Sequence, residues 1–279
     1  MSRADRVQKP GMAAIQASEA RDALRARVER ERAFYDARGK AGRYSPARGW
    51  IKRSKGAFDR HQDFHGFFDP HGKHVVDYGC GNGELTLQLL ERGAAHVTAF
   101  DVSPEFVELA RARAASHGVG DRADFLVADA HDLPLADDSV ELVAGIAILH
   151  HLDLRAALAE LLRILAPGGR AVFVEPLAHN PVLRLGRALT PSARTADERP
   201  LTAGDWELCA SAFPHFEHHE RELVTILFMP LNLVLRLSAQ RRLARALAGA
   251  DKWLLSRAPL LRRYARLSIL VFEKPYGGA

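Results

Sequence analysis

From Lys73 to Leu177 the chain alternates short apolar runs with stretches whose leucines and alanines recur at helical spacing: KHVVDYG, ELTLQLLERG, AHVTAFD, PEFVELARARAASHG, ADFLVADA, VELVAGIA, LRAALAELLRILAPGG and RAVFVEPL. Alternation of this kind builds βαβ units, which pair their strands in parallel under helices on both faces. It predicts an α/β fold with a doubly wound, seven-stranded, mostly parallel sheet. Ser103 before Pro104 supplies an N-cap and a first-turn proline, and APGG at 166–169 is expected to stop the helix that begins near Asp153. After Leu177 the alternation lapses into a connector to about Leu201, a helix capped by Thr202, a run FEHHERELVTILFM, a helical basic stretch and a closing strand ARLSILVFEKP. We read there two further strands with a helical insertion at about 231–263. Residues 12–36 form a charged, alanine-rich helical pattern that leads into the basic segment RGKAGRYSPARGWIKRSKG.

Composition narrows the class. The chain has 279 residues, 47% of them hydrophobic and 26% charged, as expected of a packed globular protein. Cys80 and Cys209 fit no metal or redox spacing, and no apolar leader opens the chain, so a reducing, cytoplasmic setting is expected. The apolar stretch Leu223–Leu237 would span roughly 22 Å as a helix against ~30 Å of hydrocarbon and contains Pro230, Asn232 and Arg236, so no transmembrane helix is expected. The +5 net charge gathers in two blocks, Arg38–Arg60 and Arg236–Arg266, where Asp59 and Asp251 are the only acids. Such blocks suit anionic small molecules, acidic lipid surfaces or nucleic acid, or simply a solvated surface.

The chemistry starts at VVDYGCGNG, residues 75–83: a strand, a glycine-rich turn, then a helix. Glycines let the backbone approach a ligand closely, and the helix start offers unpaired N–H groups. Asp101 ends the next strand, where a carboxylate can accept both hydroxyls of a ribose. A dinucleotide fingerprint would carry Gly or Ala at position 84, where this chain has Glu84. The G-x-G-x-G spacing resembles motif I of the class I S-adenosylmethionine-dependent methyltransferases, in their type 11/25-like small-molecule branch. AFDVSP, VADAHDLPLADDSVELV, GIAILHHL and LLRILAPGGRAVFVEP resemble further segments of that family, over about 75–177.

The resemblance implies a Rossmann-like methyltransferase fold, S-adenosylmethionine as cofactor, and a division into an N-terminal helical lid and basic segment (1–70), a cofactor-binding core (71–178) and a part that completes the sheet (179–279). It assigns Asp77, Gly79, Cys80, Gly81 and Gly83 to the methionine and ribose moieties and Asp101 with Val102 to the ribose. Asp129 and the backbone of Ala130 fall to the adenine amino edge, and Ile146, at the fourth strand end, is a further cofactor-binding position. No [D/N]-P-P-[Y/F] sequence follows the fourth strand, which disfavours nucleobase methylation, and no DNA partner is expected.

Methyl transfer depends chiefly on positioning, where effective molarities of ~10⁵ to 10⁸ M exceed the ~10² to 10⁴ that a general base adds. If the acceptor is a hydroxyl, a base still helps. His150 and His151 follow the fourth strand at the carboxyl edge of the sheet, and a similar ILHL stretch in phosphobase methyltransferases, whose histidine assists a tyrosine near the acceptor, selects His150. Packing or capping of the next helix is the alternative role, and it is the one expected of His151. Glu175 ends the fifth strand and stands as a second candidate: a proton acceptor, a partner for a cationic acceptor or carbocation, or a fixture of the Pro176 turn. Tyr35 and Tyr44 are candidates on the lid.

HQDFH at 61–65 and HFEHHE at 215–220 are read as surface histidines, and no metal site is expected. The insertion has leucines on one side and arginines on the other, the pattern of a cap over a hydrophobic or lipid-like acceptor or of a helix lying on an anionic membrane. Two alternatives stay open beside a small-molecule methyltransferase: C-methylation of a prenyl diphosphate, and a cofactor-binding or RNA-associated module without turnover. Oligomeric state is not legible.

Overall fold

The computed structural model describes residues 12–41, 64–227 and 237–276. Among them, seven strands form one sheet: β1 (His74–Tyr78), β2 (His96–Asp101), β3 (Ala123–Val127), β4 (Val140–Ile146), β5 (Leu165–Pro176), β6 (His215–Arg221) and β7 (Leu267–Glu273). Their spatial order is β3-β2-β1-β4-β5-β7-β6. Neighbours from β3 to β5 run parallel, and β7 runs antiparallel to both β5 and β6. The expected doubly wound sheet is therefore present. It runs without a break across the boundary expected at 178, because β6 and β7 extend the layer that β5 begins.

The described helices are α1 (Met12–Lys40), α2 (Glu84–Glu91), α3 (Pro104–Ser116), α4 (Leu154–Ile164), α5 (Pro181–Leu189), α6 (Ala203–Ala212) and α7 (Leu237–Arg257). Apolar residues of a parallel strand are buried on both faces. Val75 of β1 accordingly packs with Leu85, Leu89, Ala110 and Leu142, whereas Val76 and Tyr78 pack on the other face with Leu158, Leu161 and Phe173. Full burial of side chains this large contributes ~1.5–3 kcal/mol apiece.

Local signals set the helix ends. Ser103 and Asp153 accept from the N–H groups of Phe106 and Ala156, at 3.3 and 3.0 Å, and Thr202 forms a reciprocal capping box with Asp205 ahead of α6. Leu154, Ala157, Leu158, Leu161 and Ile164 of α4 are buried along one stripe. α4 ends at Ile164, before APGG, because Leu165 already pairs with Val140. The glycines shape the start of β5 instead: Gly168, at φ 75°, donates to Lys274 O at 2.8 Å.

The expected insertion lies between β6 and β7 as α7 and a 3₁₀ segment, Pro259–Tyr264; residues 231–236 are outside the described residues. Asp251, the single acid of that basic stretch, is buried and accepts from the N–H groups of Val224 and Thr225 at 2.6 and 3.3 Å and from the Thr225 hydroxyl. No helix among the described residues is long and apolar enough to cross a membrane.

Candidate functional site

β1 delivers the chain into the glycine turn at the carboxyl edge of the sheet. Gly79, Gly81 and Gly83 have φ of 77°, 51° and 76°, in the left-handed region that disfavours a Cβ. A Cβ on Gly79 would stand 2.7 Å from the Ile148 side chain. Cys80 is buried, its N–H donates to Phe100 O at 2.8 Å, and burial pushes its thiol well above the usual range.

Two carboxylates are buried beside this turn. Asp77 accepts from the Thr86 hydroxyl at 2.5 Å, yet burial pushes its carboxyl up to about 7. Asp101 accepts from Gly81 N–H at 3.0 Å and Ser103 N–H at 2.9 Å, and burial outweighs these to push it up to about 6. Oδ1 of Asn82, also buried, has no hydrogen-bond donor. The turn thus collects two carboxylates that burial keeps short of compensating positive charge despite their hydrogen bonds, and one amide oxygen without a donor, which suits a ligand bearing a cation and hydroxyl groups.

Across the edge, Asp129 follows β3. Burial would raise its carboxyl, but hydrogen bonds from His131, ring Nδ1 at 2.7 Å and N–H at 3.0 Å, hold it below the usual range. Nε2 of His131 accepts from Asp153 N–H at 3.1 Å, so the β3 edge is wired to the start of α4. Ala130 O accepts from the buried Tyr78 hydroxyl. Val102 O accepts from Arg32 of α1 at 3.2 Å, and Ile146 closes β4. The next residue, Ala147, has φ 57° and donates its N–H to Val174 O at 2.8 Å.

His150 and His151 are both buried in a 3₁₀ turn, Leu149–His151, with ring centroids 4.1 Å apart. Glu175, fully buried on the neighbouring strand, organises this turn. Its Oε1 accepts from Ile148 and Leu149 N–H at 2.8 Å each, and its Oε2 takes His150 Nδ1 at 2.7 Å. Because a carboxylate only accepts, Nδ1 carries the ring proton and Nε2 of His150 offers its lone pair. Both Glu175 oxygens are engaged by the turn, not aimed at open space.

His151 has more partners than the packing role expected of it. Its Nε2 meets the Tyr35 hydroxyl at 3.1 Å, and its Nδ1 lies 3.2 Å from Glu31 Oε2. Burial and the neighbouring His150 lower its basicity against the pull of Glu31. Burial, with Glu31 and Glu198 nearby, pushes the Tyr35 phenol well above its usual range. Tyr35 of α1 therefore meets His151, the neighbour of the histidine that the resemblance selects. Tyr44 and His61 lie outside the described residues, and His65 is bonded to Gln88 at 3.0 Å. On β6, His218 and His219 pair with Glu220 and Glu217, at 2.6 and 3.1 Å.

α1 closes this edge from above. Arg27 Nε donates to His151 O at 2.9 Å, Arg30 grips both oxygens of Asp197 at 2.7 and 3.0 Å, and Asp36 accepts from Ser103 Oγ at 2.5 Å. A cavity of about 570 Å³ opens next to His150, with Arg27, Asp197, Glu198 and Arg199 among its lining and Leu149, Leu152 and Leu201 between them. Sequence reasoning missed Glu31, Arg27, Asp197 and Glu198. They sit in segments whose polarity reads as surface, more than a hundred positions from some of their partners, and no local signal marks them.

Residues 75–169 match a family model described as a methyltransferase domain. The chain is 36% identical over 134 residues to the O-methyltransferase cnsE of Penicillium expansum, which covers 46% of this chain and 49% of that protein. Among solved structures it is similar to phosphoethanolamine N-methyltransferase 2 of Haemonchus contortus in complex with phosphomonomethylethanolamine and S-adenosylhomocysteine. That likeness has a TM-score of 0.58 at 15% identity, over 87% of this chain and 60% of that one. It is also similar to a geranyl diphosphate methyltransferase in complex with GPP and sinefungin, with a TM-score of 0.53 at 20% identity, over 76% of this chain and 74% of that one. The chain spans about half the length of the curated relatives it matches.

Proposed function

We propose, on the premise that this chain belongs to the class I S-adenosylmethionine-dependent methyltransferase superfamily, that it transfers a methyl group to a small-molecule acceptor bound at the carboxyl edge of the sheet. One observation carries the reading: a glycine turn with two buried, charge-starved carboxylates lies across the same edge from an oriented imidazole. When bound, S-adenosylmethionine supplies a methyl group on a sulfonium, an electrophile that needs no further activation. The residues present fit it: Gly79 and Gly81 would allow close approach, Asp101 would accept from a ribose, and Asp77 and the unpartnered Asn82 Oδ1 would accept from its positive charge and N–H donors. Cys80 and Gly83 complete the turn, Val102 follows Asp101, and Asp129 and the backbone of Ala130 would take the adenine side, with Ile146 at the end of β4.

For a hydroxyl acceptor, the lone pair of His150 Nε2 would take the hydroxyl proton as the acceptor oxygen receives the methyl group that bound S-adenosylmethionine would supply. Glu175 is a positioning residue in this scheme, since it fixes the tautomer and orientation of His150. Tyr35 on His151 helps to seal the edge against water. Arg27 and Arg199 line the adjoining cavity together with Asp153, Asp197 and Glu198, and Arg199 is paired with Asp205, so the mixed charge suits a polar end of an acceptor and the leucines an apolar remainder. C-methylation of a prenyl diphosphate is the weaker reading, because it asks Glu175 to face a developing cation and both of its oxygens are engaged elsewhere. The reading sets the protein at work in the cytoplasm, with α7 as a cap; membrane contact through α7 is the alternative.

Incubation with a methyl-labelled donor and a metabolite and lipid extract, followed by mass spectrometry, tests the assignment. A labelled small molecule whose formation falls at least ~10²-fold in His150→Ala is the expected result. Failure to bind S-adenosylhomocysteine would overturn the cofactor assignment, and salt-sensitive retention of RNA with no methylated product would favour a binding module.

A further inference from the structure

His150, His151 and Glu198 each bring a potential ligand atom to within 4.8 Å of the other two, below the protein surface. Nε2 of His150 is the lone-pair side of a ring whose other nitrogen is held by Glu175 at 2.7 Å, the arrangement in which a carboxylate orients a metal-binding imidazole. Beside it, His151 Nδ1 and Glu31 Oε2, both buried, pair with each other at 3.2 Å and have no other partner. A divalent cation taken up beside them would replace the proton they share as the counter-charge to Glu31.

We propose that His150, His151 and Glu198, with Glu31 alongside, form a binding site for a divalent transition-metal ion of the zinc class. Two imidazoles and a carboxylate suit Zn²⁺, Co²⁺ or Ni²⁺, whereas Mg²⁺ and Ca²⁺ take oxygen ligands. Ligand atoms around tetrahedral zinc stand roughly 3.3 Å apart, so the cluster, whose His150 Nε2 and Glu198 Oε1 are 3.9 Å apart, contracts on binding. The cavity beside His150 gives an ion access. Arg187 already pairs with Glu198 Oε1 and donates to its backbone oxygen at 3.2 Å, which anchors the carboxylate but competes with the ion for its charge. Affinity is therefore expected below that of a structural zinc site. Resting on the methyltransferase reading, a further consequence follows: the ion takes the lone pair that receives the acceptor proton, so it inhibits transfer to a hydroxyl.

The test uses the full chain after chelator treatment, titrated with Co²⁺ alone, then Zn²⁺, then Mg²⁺, by calorimetry and visible absorption. We expect one saturable Co²⁺ site with visible d–d bands, displaced by Zn²⁺ and insensitive to Mg²⁺. His151→Ala and Glu198→Gln each weaken Co²⁺ binding at least ~10-fold, and His218→Ala leaves it unchanged. S-adenosylhomocysteine binding and circular dichroism of the same samples separate a lost metal site from a lost fold, and fail independently if the cofactor reading is wrong. Absence of saturable Co²⁺ binding in the micromolar range overturns the site. Undiminished binding in both site variants that retain the native dichroism overturns it too.

Discussion

Asp101 and Asp77 carry most of what the site demands of single residues. Asp101→Ala removes the carboxylate that ties Gly81 and Ser103 together, and is expected to weaken S-adenosylhomocysteine binding ~10–100-fold by calorimetry. Protonation acts in the same direction. Both groups titrate higher in the folded chain than the ordinary 3.8, at about 7 and about 6, so the folded state holds more protons across that interval. Their contribution to cofactor-free stability is complete at low pH and is lost as pH rises through about 6 to 7. The thermal midpoint of Asp77→Asn should accordingly fall less between about pH 5 and pH 8 than that of the parent; equal falls would reject this origin. Ala147 is held at φ 57° where β4 meets the site, and Ala147→Gly should raise stability by ~1 kcal/mol in denaturant titration. At this scale the sequence was most informative about the glycine turn and Asp101, whose roles follow from local spacing. The partner of Tyr35 lies beyond local spacing: a 3₁₀ turn sends successive side chains about a third of a turn apart, and burial under α1 gives His151, not His150, the contact with Tyr35.

Elements show where legibility stops. The helical pattern of α1 is evident from its charged, alanine-rich run, but its placement rests on single polar ties to Val102, Ser103, His151 and Asp197, scattered over the chain. No periodicity encodes such ties. α7 behaves similarly: its arginine-rich sequence suggests a solvated or membrane-facing helix, and one buried acid, Asp251, locks it to Val224 and Thr225. Asp251→Ala leaves those N–H groups without an acceptor and should cost ~1–3 kcal/mol, read as faster amide exchange in α7 and at 224–225 while β1 to β5 stay protected. Uniform exchange throughout would instead mark α7 as integral to the core.

Across the whole molecule, the strand order was readable in class but not in detail. Alternation predicts the parallel half because local βαβ chirality builds it; the antiparallel insertion of β7 between β5 and β6 depends on a long-range choice of edge. That choice makes β6 and β7 part of the same sheet as the strand that leads into the glycine turn. Denaturant unfolding followed by far-UV dichroism and by Trp206 fluorescence, a probe packed against Phe216 and His218 of β6, should therefore give coincident midpoints. The same placement orders events during synthesis. β6 leaves the ribosome before β7, yet it has no neighbour in the sheet until β7 arrives, so nascent chains stalled between Arg221 and Leu267 expose two open edges, on β5 and on β6, to chaperones and to other chains.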